Sequence, residues 1–90
     1  MRGVPDLSVP DMTPAVQPEL APREVEVLVA WFHTESKEAV ARQLHIAPTT
    51  VRTHLQRVRA KYAAVGRPAK TKAALVARAI QDGLIHIDDL

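Results

Sequence analysis

The chain has 90 residues, no cysteine and a formal net charge of +2. This length fits one small domain, and without cysteine neither a disulfide framework nor a cysteine-ligated zinc site can form. Only three residues are aromatic, whereas a third of the apolar residues are alanine, so we expect short helices packed closely around a thin core.

The start of the chain differs in composition from the rest. Residues 1–19 contain four of the seven prolines and show no helical periodicity. Because proline lacks a backbone N–H and disfavours helix, this stretch predicts an extended or disordered leader, such as an interdomain linker. The folded domain is expected over residues 20–90. Neither a bilayer-spanning apolar run nor a signal peptide is visible, so we expect a soluble, cytoplasmic protein without a membrane partner.

Two short helices are predicted at the start of the folded domain. Pro22 stands in a first helical turn, where its missing N–H does no harm, and apolar residues recur every three to five positions to about His33. Ser36 is a suitable N-cap for a second helix that ends near Leu44. Residues 45–47 then form a three-residue turn.

Two further helices follow this turn. The third helix opens at Pro48 and runs to Tyr62, with apolar residues spaced four, three and four positions apart. After a loop over residues 63–70, Thr71 caps a fourth helix, which ends before Gly83 because glycine readily adopts a left-handed conformation. Since no segment shows convincing strand periodicity, the predicted fold is an all-α bundle of four short helices.

The net charge of +2 conceals a separation of charge along the chain. Residues 37–72 contain nine bases and one acid, a balance of about +8, whereas the rest of the chain carries about −6. Almost no acid in that segment is available to pair with its bases, so we expect a positive surface that attracts phosphate.

The second and third helices, with the turn between them, form a helix-turn-helix pattern. In such a unit the second helix enters the major groove of DNA, which admits one α-helix. The face opposite the apolar positions of this helix carries guanidinium, amide and threonine groups, which suit guanine, adenine and thymine. These candidate base-reading residues are Thr49, Arg52, Thr53 and Gln56.

Three segments of this region resemble the LuxR/NarL family of DNA-binding domains. They are LAPREVEVL over residues 20–28, SKEAVARQL over residues 36–44 and IAPTTVRTH over residues 46–54. The resemblance implies a four-helix bundle that binds double-stranded DNA and regulates transcription. The family supplies the output half of many bacterial two-component response regulators and quorum-sensing regulators, and we expect a response-regulator output domain.

The resemblance also implies roles for single residues. It implies that the four candidate base-reading residues contact bases. It also implies that the DNA backbone is contacted by Thr50, His54, Arg57 and Lys61. His54 could equally well support the packing of the helix bundle. With the other members of the positive segment, the candidate phosphate-binding residues are Lys37, Thr50, His54, Arg57, Arg59, Lys61, Arg67, Lys70, Thr71 and Lys72. The family dimerises through its fourth helix, which implies a homodimer here. The candidate dimerisation residues are Ala73, Val76, Ala77 and Ile80.

The sequence departs from the family pattern at the helix caps, at Thr34 and Ala39, where glycine and glutamate are usual, and in one loop. Ala21 and Ala47 occupy cap positions that usually hold serine or threonine, a loss of about 1 kcal/mol each. The loop over residues 63–70 is about five residues longer than usual. Because the inserted residues 66–70 are basic, we expect them to add phosphate contacts or to move the fourth helix.

Two other functions remain open at this point. A promoter-reading fragment of a sigma factor would share the helix-turn-helix pattern, and core RNA polymerase is therefore retained as a candidate partner. A helical protein-interaction or dimerisation module would use the basic face on an acidic partner.

Catalysis and metal binding have little support in the sequence. The four histidines lie on different segments without ligand spacing, and no phosphate-binding glycine loop or nucleophile elbow occurs. We therefore predict neither an enzyme nor a metal or cofactor. Glu24 is expected to bond the helix terminus or a nearby arginine, and Trp31 and Phe32 to lie in the core or at its rim.

Overall fold

The computed structural model describes residues 16–90, so most of the leader predicted over residues 1–19 lies outside the described residues. In residues 16–90 the chain forms four α-helices and one short 3₁₀ helix, with no strand, and the all-α prediction is confirmed. The elements in chain order are α1 Pro22–Phe32, α2 Lys37–Leu44, α3 Pro48–Ala64, α4 Lys72–Gln81 and the 3₁₀ helix Ile87–Asp89. No helix among the described residues is long and apolar enough to cross a bilayer.

The two predicted side-chain caps set the beginnings of α2 and α4. The Ser36 hydroxyl accepts a hydrogen bond from the Ala39 N–H at 3.1 Å, and the Thr71 hydroxyl accepts one from the Ala74 N–H at 3.0 Å. Each bond satisfies an N–H that has no partner within its own helix. The first turn of both helices is thereby held in place.

The helices that follow alanine caps begin differently. No side chain caps α1 or α3, and both open with proline, which removes one of the N–H groups that a cap would serve. At α1 the Glu24 carboxylate also accepts a hydrogen bond from the Ala21 N–H at 2.8 Å. The predicted bond of Glu24 to the helix terminus is therefore confirmed.

The core lies where α1, α2 and α3 pack pairwise against one another. All four predicted apolar positions of α3 are fully buried, and α4 joins the cluster through Leu75. Trp31 is buried and Phe32 packs at the rim, as expected. The largest fully buried side chains are Tyr62, Leu28, Leu55, Leu75, Val27, Val40, Val51 and Val58.

Three backbone features differ from the prediction. α3 continues two residues past Tyr62, and a 3₁₀ helix forms in what looks like an irregular tail. In the turn before α3, His45 adopts the left-handed conformation with φ +58°, which costs a residue with a Cβ atom about 1 kcal/mol. Gly83 takes the same conformation, φ +74°, just after α4, as predicted.

A buried ion pair anchors the long loop between α3 and α4. Arg67 is 7% exposed as a residue, and its guanidinium lies 2.9 Å from the Asp82 carboxylate, which also accepts a hydrogen bond from the Tyr62 hydroxyl at 2.7 Å. The guanidinium further donates to the Val16 carbonyl at 2.8 Å and to the Gln81 amide oxygen at 3.0 Å. We call Tyr62, Arg67 and Asp82 the Asp82 network.

The Asp82 network corrects the expectation that Arg67 binds phosphate. Both terminal nitrogens of its guanidinium are hydrogen-bonded inside the domain. Burial raises the pKa of the Tyr62 hydroxyl, and its bond to Asp82 raises the pKa further. The Arg67 guanidinium is therefore held inside the domain, and this part of the loop turns inward.

Candidate nucleic-acid interface

The four predicted base-reading residues lie together on the exposed face of α3. Thr49, Arg52, Thr53 and Gln56 are all exposed, and their spacing places them along one stripe of the helix. We call these four residues the reading stripe. Within residues 16–90, neither Arg52 nor Gln56 has a side-chain hydrogen bond or ion pair, so both polar groups are open to an external partner.

One member of the reading stripe already uses its hydroxyl donor. The Thr53 hydroxyl donates to the Thr49 carbonyl at 3.0 Å, one helical turn earlier. Thr53 can therefore offer a base its methyl group, which suits the thymine methyl, and the acceptor lone pairs of its hydroxyl oxygen. Arg52 and Gln56 retain unused hydrogen-bond donors.

Electrostatically, α3 favours a negatively charged partner along its whole length. The helix contains no acidic residue, and its first turn exposes Thr50 beside the Thr49 N–H, which has no partner among residues 16–90, whereas the Thr50 and Val51 N–H groups donate to the Ala47 carbonyl. A helix N-terminus attracts anions because its N–H groups and its dipole both face the ligand. Arg57 is exposed two turns later. Thr50 and Arg57 are therefore well placed for backbone contacts.

The exposed face of α3 has two borders with different surroundings. Arg59 follows Arg52 by seven residues, nearly two helical turns, so both lie on one border. Lys61 follows Arg57 by four residues and His54 by seven, so these three lie on the other border. The two borders carry similar numbers of bases, and the neighbouring helices decide how much of that charge is available.

On the second border, an acid neutralises a predicted phosphate-binding base. The Lys61 ammonium lies 2.7 Å from Oε1 of Glu24, whose side chain is 4% exposed. Burial by itself raises the pKa of Glu24, but Lys61 and the Ala21 N–H together hold that pKa below its ordinary value. The basic partner of Glu24 is thus a lysine instead of the expected arginine. We call Glu24 and Lys61 the Glu24 pair.

His54 lies on the border of the Glu24 pair and is only partly exposed. Its Nδ1 atom is buried and has no hydrogen-bond partner among residues 16–90. Because one face of the ring is turned into the bundle, the buttressing role fits this placement at least as well as a phosphate contact.

On the first border, three bases surround one aromatic ring. The centroid of Trp31 lies 5.0 Å from the Lys72 ammonium, 5.6 Å from the Arg59 guanidinium and 5.9 Å from the Lys37 ammonium. These are cation–π distances. We call Trp31 with Lys37, Arg59 and Lys72 the Trp31 cluster. It joins α1, α3 and the first residues of α2 and α4.

The sequence identified the three bases of the Trp31 cluster as separate phosphate candidates but missed the ring that gathers them. A tryptophan in the apolar stripe of an amphipathic helix predicts core packing alone, and that packing is confirmed by its 7% exposure. The bases belong to three other helices. No spacing within a single helix could have revealed the cluster.

The remaining candidates lie at the beginning and on the outer face of α4. Lys70 and Thr71 are exposed, although the Thr71 hydroxyl also caps the helix. Leu75 and Ala79 of α4 are buried. Among the candidate dimerisation residues, Ala73 and Ala77 are exposed and Val76 and Ile80 are half-buried, so a small-residue surface remains accessible. In the described part of the chain, no three potential ligand side chains gather as a metal site.

Comparison with known proteins decides the family of this helix-turn-helix. The model of the bacterial regulatory proteins of the luxR family matches residues 18–74, which include α1, α2, α3 and the start of α4. The chain belongs to this family. Its members are DNA-binding transcription regulators, so the predicted resemblance is confirmed, and the domain is a DNA-binding helix-turn-helix of a regulatory protein.

Curated relatives of the chain point to the same class. The chain is 40% identical over 70 residues to the probable transcriptional regulatory protein NarL of Mycobacterium tuberculosis, in strains CDC 1551 / Oshkosh and ATCC 25618 / H37Rv. The alignment covers 78% of this chain but 30% of the relative, so the chain spans less than a third of that protein's length. No solved structure matches the chain.

Proposed function

We propose that this chain binds double-stranded DNA in a sequence-specific manner, with α3 in the major groove, as the output domain of a bacterial response regulator. The observation that carries the proposal is the reading stripe, a row of exposed polar side chains on a helix without acids. A helix of this kind can approach the phosphate-lined groove without repulsion and still discriminate among bases.

Specificity is assigned to the reading stripe. Arg52 suits a bidentate contact to guanine and Gln56 a bidentate contact to adenine, whereas Thr53 presents its methyl group to thymine. Thr49, at the beginning of the helix, completes the stripe. Each good bidentate contact provides about 1–3 kcal/mol of discrimination, so Arg52 and Gln56 carry most of the sequence preference.

Affinity is assigned to the bases beside the stripe. Thr50 and Arg57 on one border and the Trp31 cluster on the other would contact phosphates, and Lys70 and Thr71 would extend this surface along the start of α4. Lys61 and His54 contribute less because their polar groups are already engaged or buried within the domain. Arg67 is not part of this surface.

The assembly is proposed from the accessible surface of α4. A homodimer joined through Ala73, Val76, Ala77 and Ile80 would present two copies of α3 to two half-sites. Residues 1–19 would link each DNA-binding domain to a regulatory domain, in the cytoplasm where the chromosome lies. RNA polymerase is a further partner that a transcription regulator of this kind would contact.

The first experiment selects bound sequences from random duplex DNA and compares the wild type with Arg52→Ala. We expect enrichment of a defined site, and we expect Arg52→Ala to lose about 1–3 kcal/mol of binding there and to relax one base position. Arg42→Ala removes an equal charge from an exposed position of α2. This control should weaken binding to all sequences alike without changing the preferred site.

Two outcomes would contradict the proposal. Failure of the wild type to enrich any site over bulk DNA would remove sequence-specific reading. A relaxed base position in Arg42→Ala as well as in Arg52→Ala would show that the preference does not come from the reading stripe. Binding to core RNA polymerase without site enrichment would favour the sigma-factor alternative.

A further inference from the structure

The Trp31 cluster concentrates positive charge at a defined point beside the reading stripe. Its three cationic groups lie within 6 Å of the centroid of one ring, yet they come from α2, α3 and α4. Like charges gathered around one ring repel one another, and the electron-rich face of an indole offsets this only in part. The arrangement becomes favourable when an anion joins it.

No acid within the described residues forms an ion pair with a base of this cluster, although Glu35 lines a cleft together with Lys72. The three ion pairs in residues 16–90 involve Arg23, Lys61 and Arg67, and none involves a base of the Trp31 cluster. Glu35 and Glu38 are near in sequence, but both are exposed and neither forms an ion pair there. The positive charge of the cluster is therefore available to an external partner.

The hydrogen-bond donors of the cluster are partly fixed and partly unused. The Lys72 ammonium donates to the Thr34 carbonyl at 2.8 Å, which holds it in place and leaves two of its N–H groups. The terminal nitrogens of Arg59 and the Lys37 ammonium have no hydrogen bond among residues 16–90, whereas Nε of Arg59 is buried and out of reach of an external phosphate. Fixed positive charge with unused donors is what a phosphate oxygen requires.

The location of the cluster indicates which phosphate it meets. Arg59 lies on the same border of α3 as Arg52 and about 10 Å further along the helix, since each residue rises 1.5 Å. The major groove is about 12 Å wide. A helix seated in the groove by the reading stripe would therefore bring the cluster to the sugar-phosphate backbone at the edge of the groove.

We propose that the Trp31 cluster is a phosphate-binding site that holds one backbone phosphate of the bound DNA, with the Trp31 ring as the platform that positions its three bases. This inference rests on the proposed DNA binding and specifies where the backbone is held most firmly. Trp31 is a positioning residue for these bases, and Lys37, Arg59 and Lys72 are the groups that meet the phosphate.

Trp31 is the only tryptophan of the chain, so its fluorescence reports directly on the site. The experiment titrates the full chain with a duplex bearing the selected site, with a random-sequence duplex and with inorganic phosphate. It records Trp31 emission in each case and follows duplex affinity independently by anisotropy of labelled DNA over a range of salt concentrations. We expect both duplexes to change the emission with the same midpoint as binding, and inorganic phosphate to change it only weakly.

The variants Arg59→Gln and Arg57→Gln form a matched pair. Each removes one charge from α3, but only Arg59 lies on the Trp31 ring. Loss of one phosphate contact should lower the salt slope by about 0.9 and the affinity about eightfold at 0.1 M salt. We expect this loss in both variants. The change in Trp31 emission on duplex binding should be smaller in Arg59→Gln than in the wild type and should be unchanged in Arg57→Gln.

Lys72→Gln provides a second variant should Arg59→Gln fail to fold, which circular dichroism would show. Three results would overturn the inference: duplex binding without a Trp31 response, equal emission changes in the two α3 variants, or a response to inorganic phosphate that exceeds the response to duplex. In each case duplex binding itself is measured separately. Absence of all duplex binding in the wild type would instead overturn the proposed function.

Discussion

The bases of this domain fall into two regions that look alike in sequence and differ in electrostatic balance. Around the end of α3, Lys61 and Arg67 each face a buried carboxylate, from Glu24 and Asp82. On the reading stripe and in the Trp31 cluster, the bases have no acidic partner within residues 16–90. The first region uses positive charge to hold helices together, and the second retains it for a ligand.

This difference shows that a count of bases overestimates the charge available to DNA. The segment over residues 37–72 carries about +8, but two of its bases are matched by acids that lie outside the segment in sequence. Burial strengthens each pairing, because charges removed from water need a partner. The following variants test the comparison, beginning with the largest expected effect.

Replacing Arg67 with methionine should destabilise the domain without weakening the DNA-binding surface. The change leaves the Asp82 carboxylate buried without its partner, a loss of about 3–5 kcal/mol in the free energy of unfolding. Urea denaturation followed by circular dichroism measures this loss, and DNA binding is measured on the folded protein.

Lys70→Met is the matched control for Arg67→Met, because Lys70 is an exposed base of the same loop. It should change stability by less than about 0.5 kcal/mol and weaken DNA binding instead. Equal stability effects in the two variants would remove the distinction between the buried base and the exposed one.

Replacing Glu24 with glutamine should remove the ion pair of Lys61 and make its ammonium available to a DNA phosphate. Since Lys61 is 37% exposed, we expect a modest stability loss of about 1 kcal/mol, between the values of surface and buried pairs. DNA affinity should rise for all sequences, and the salt slope should steepen by up to about 0.9 as Lys61 gains a phosphate contact.

Glu26→Gln controls for the change of net charge, because Glu26 forms an exposed pair with Arg23. It should raise DNA affinity less and leave the salt slope unchanged. A steeper slope in both variants would mean that general charge, and not Lys61, is responsible.

The Glu24 pair should also determine part of the acid sensitivity of the fold. The pKa of Glu24 lies below its ordinary value in the folded state, so its contribution to stability is present above the unfolded pKa and is lost as pH falls through the folded pKa. Stability measured between neutral and acidic pH should therefore fall less steeply in Glu24→Gln than in the wild type. Parallel curves would contradict this assignment.

The smallest effect concerns His33, which lies with Lys72 along one cleft beside the Trp31 cluster. Its two ring nitrogens lie 2.9 Å and 2.7 Å from the carbonyl oxygens of Val29 and Asp89. Carbonyl oxygens only accept, so both bonds require the doubly protonated ring. The bond to Val29 and then the bond to Asp89 raise the pKa of His33.

Because this pKa is raised, the stabilising contact of His33 with Asp89 is present below the unfolded pKa, near 6.5, and is lost as pH rises through the folded value. Amide protection of residues 87–89 should decline over that pH range in NMR hydrogen-exchange measurements. The decline should be absent in His33→Phe. An identical pH dependence in that variant would show that the 3₁₀ helix is held by other contacts.

Much of the fold could be predicted because its signals are local. Ser36 and Thr71 mark helix beginnings by chemistry within one turn, and the buried positions of α3 follow from helical spacing alone. The exposure of the reading stripe follows from the same periodicity. The left-handed conformation of His45 was not predicted, because histidine adopts it more often than most residues with a Cβ atom but far less readily than glycine.

The sequence by itself determined that this chain is an all-α helix-turn-helix domain with a basic segment, since those properties depend on neighbours within a few turns of helix. Only the tertiary structure decided which bases are available to a ligand. Arg67 and Lys61 meet acids from other elements, whereas Arg59 lies over the Trp31 ring that two further bases also approach. The reason is physical: the energy of a charge depends on its burial and on partners far away in the chain, and no spacing along one helix records either.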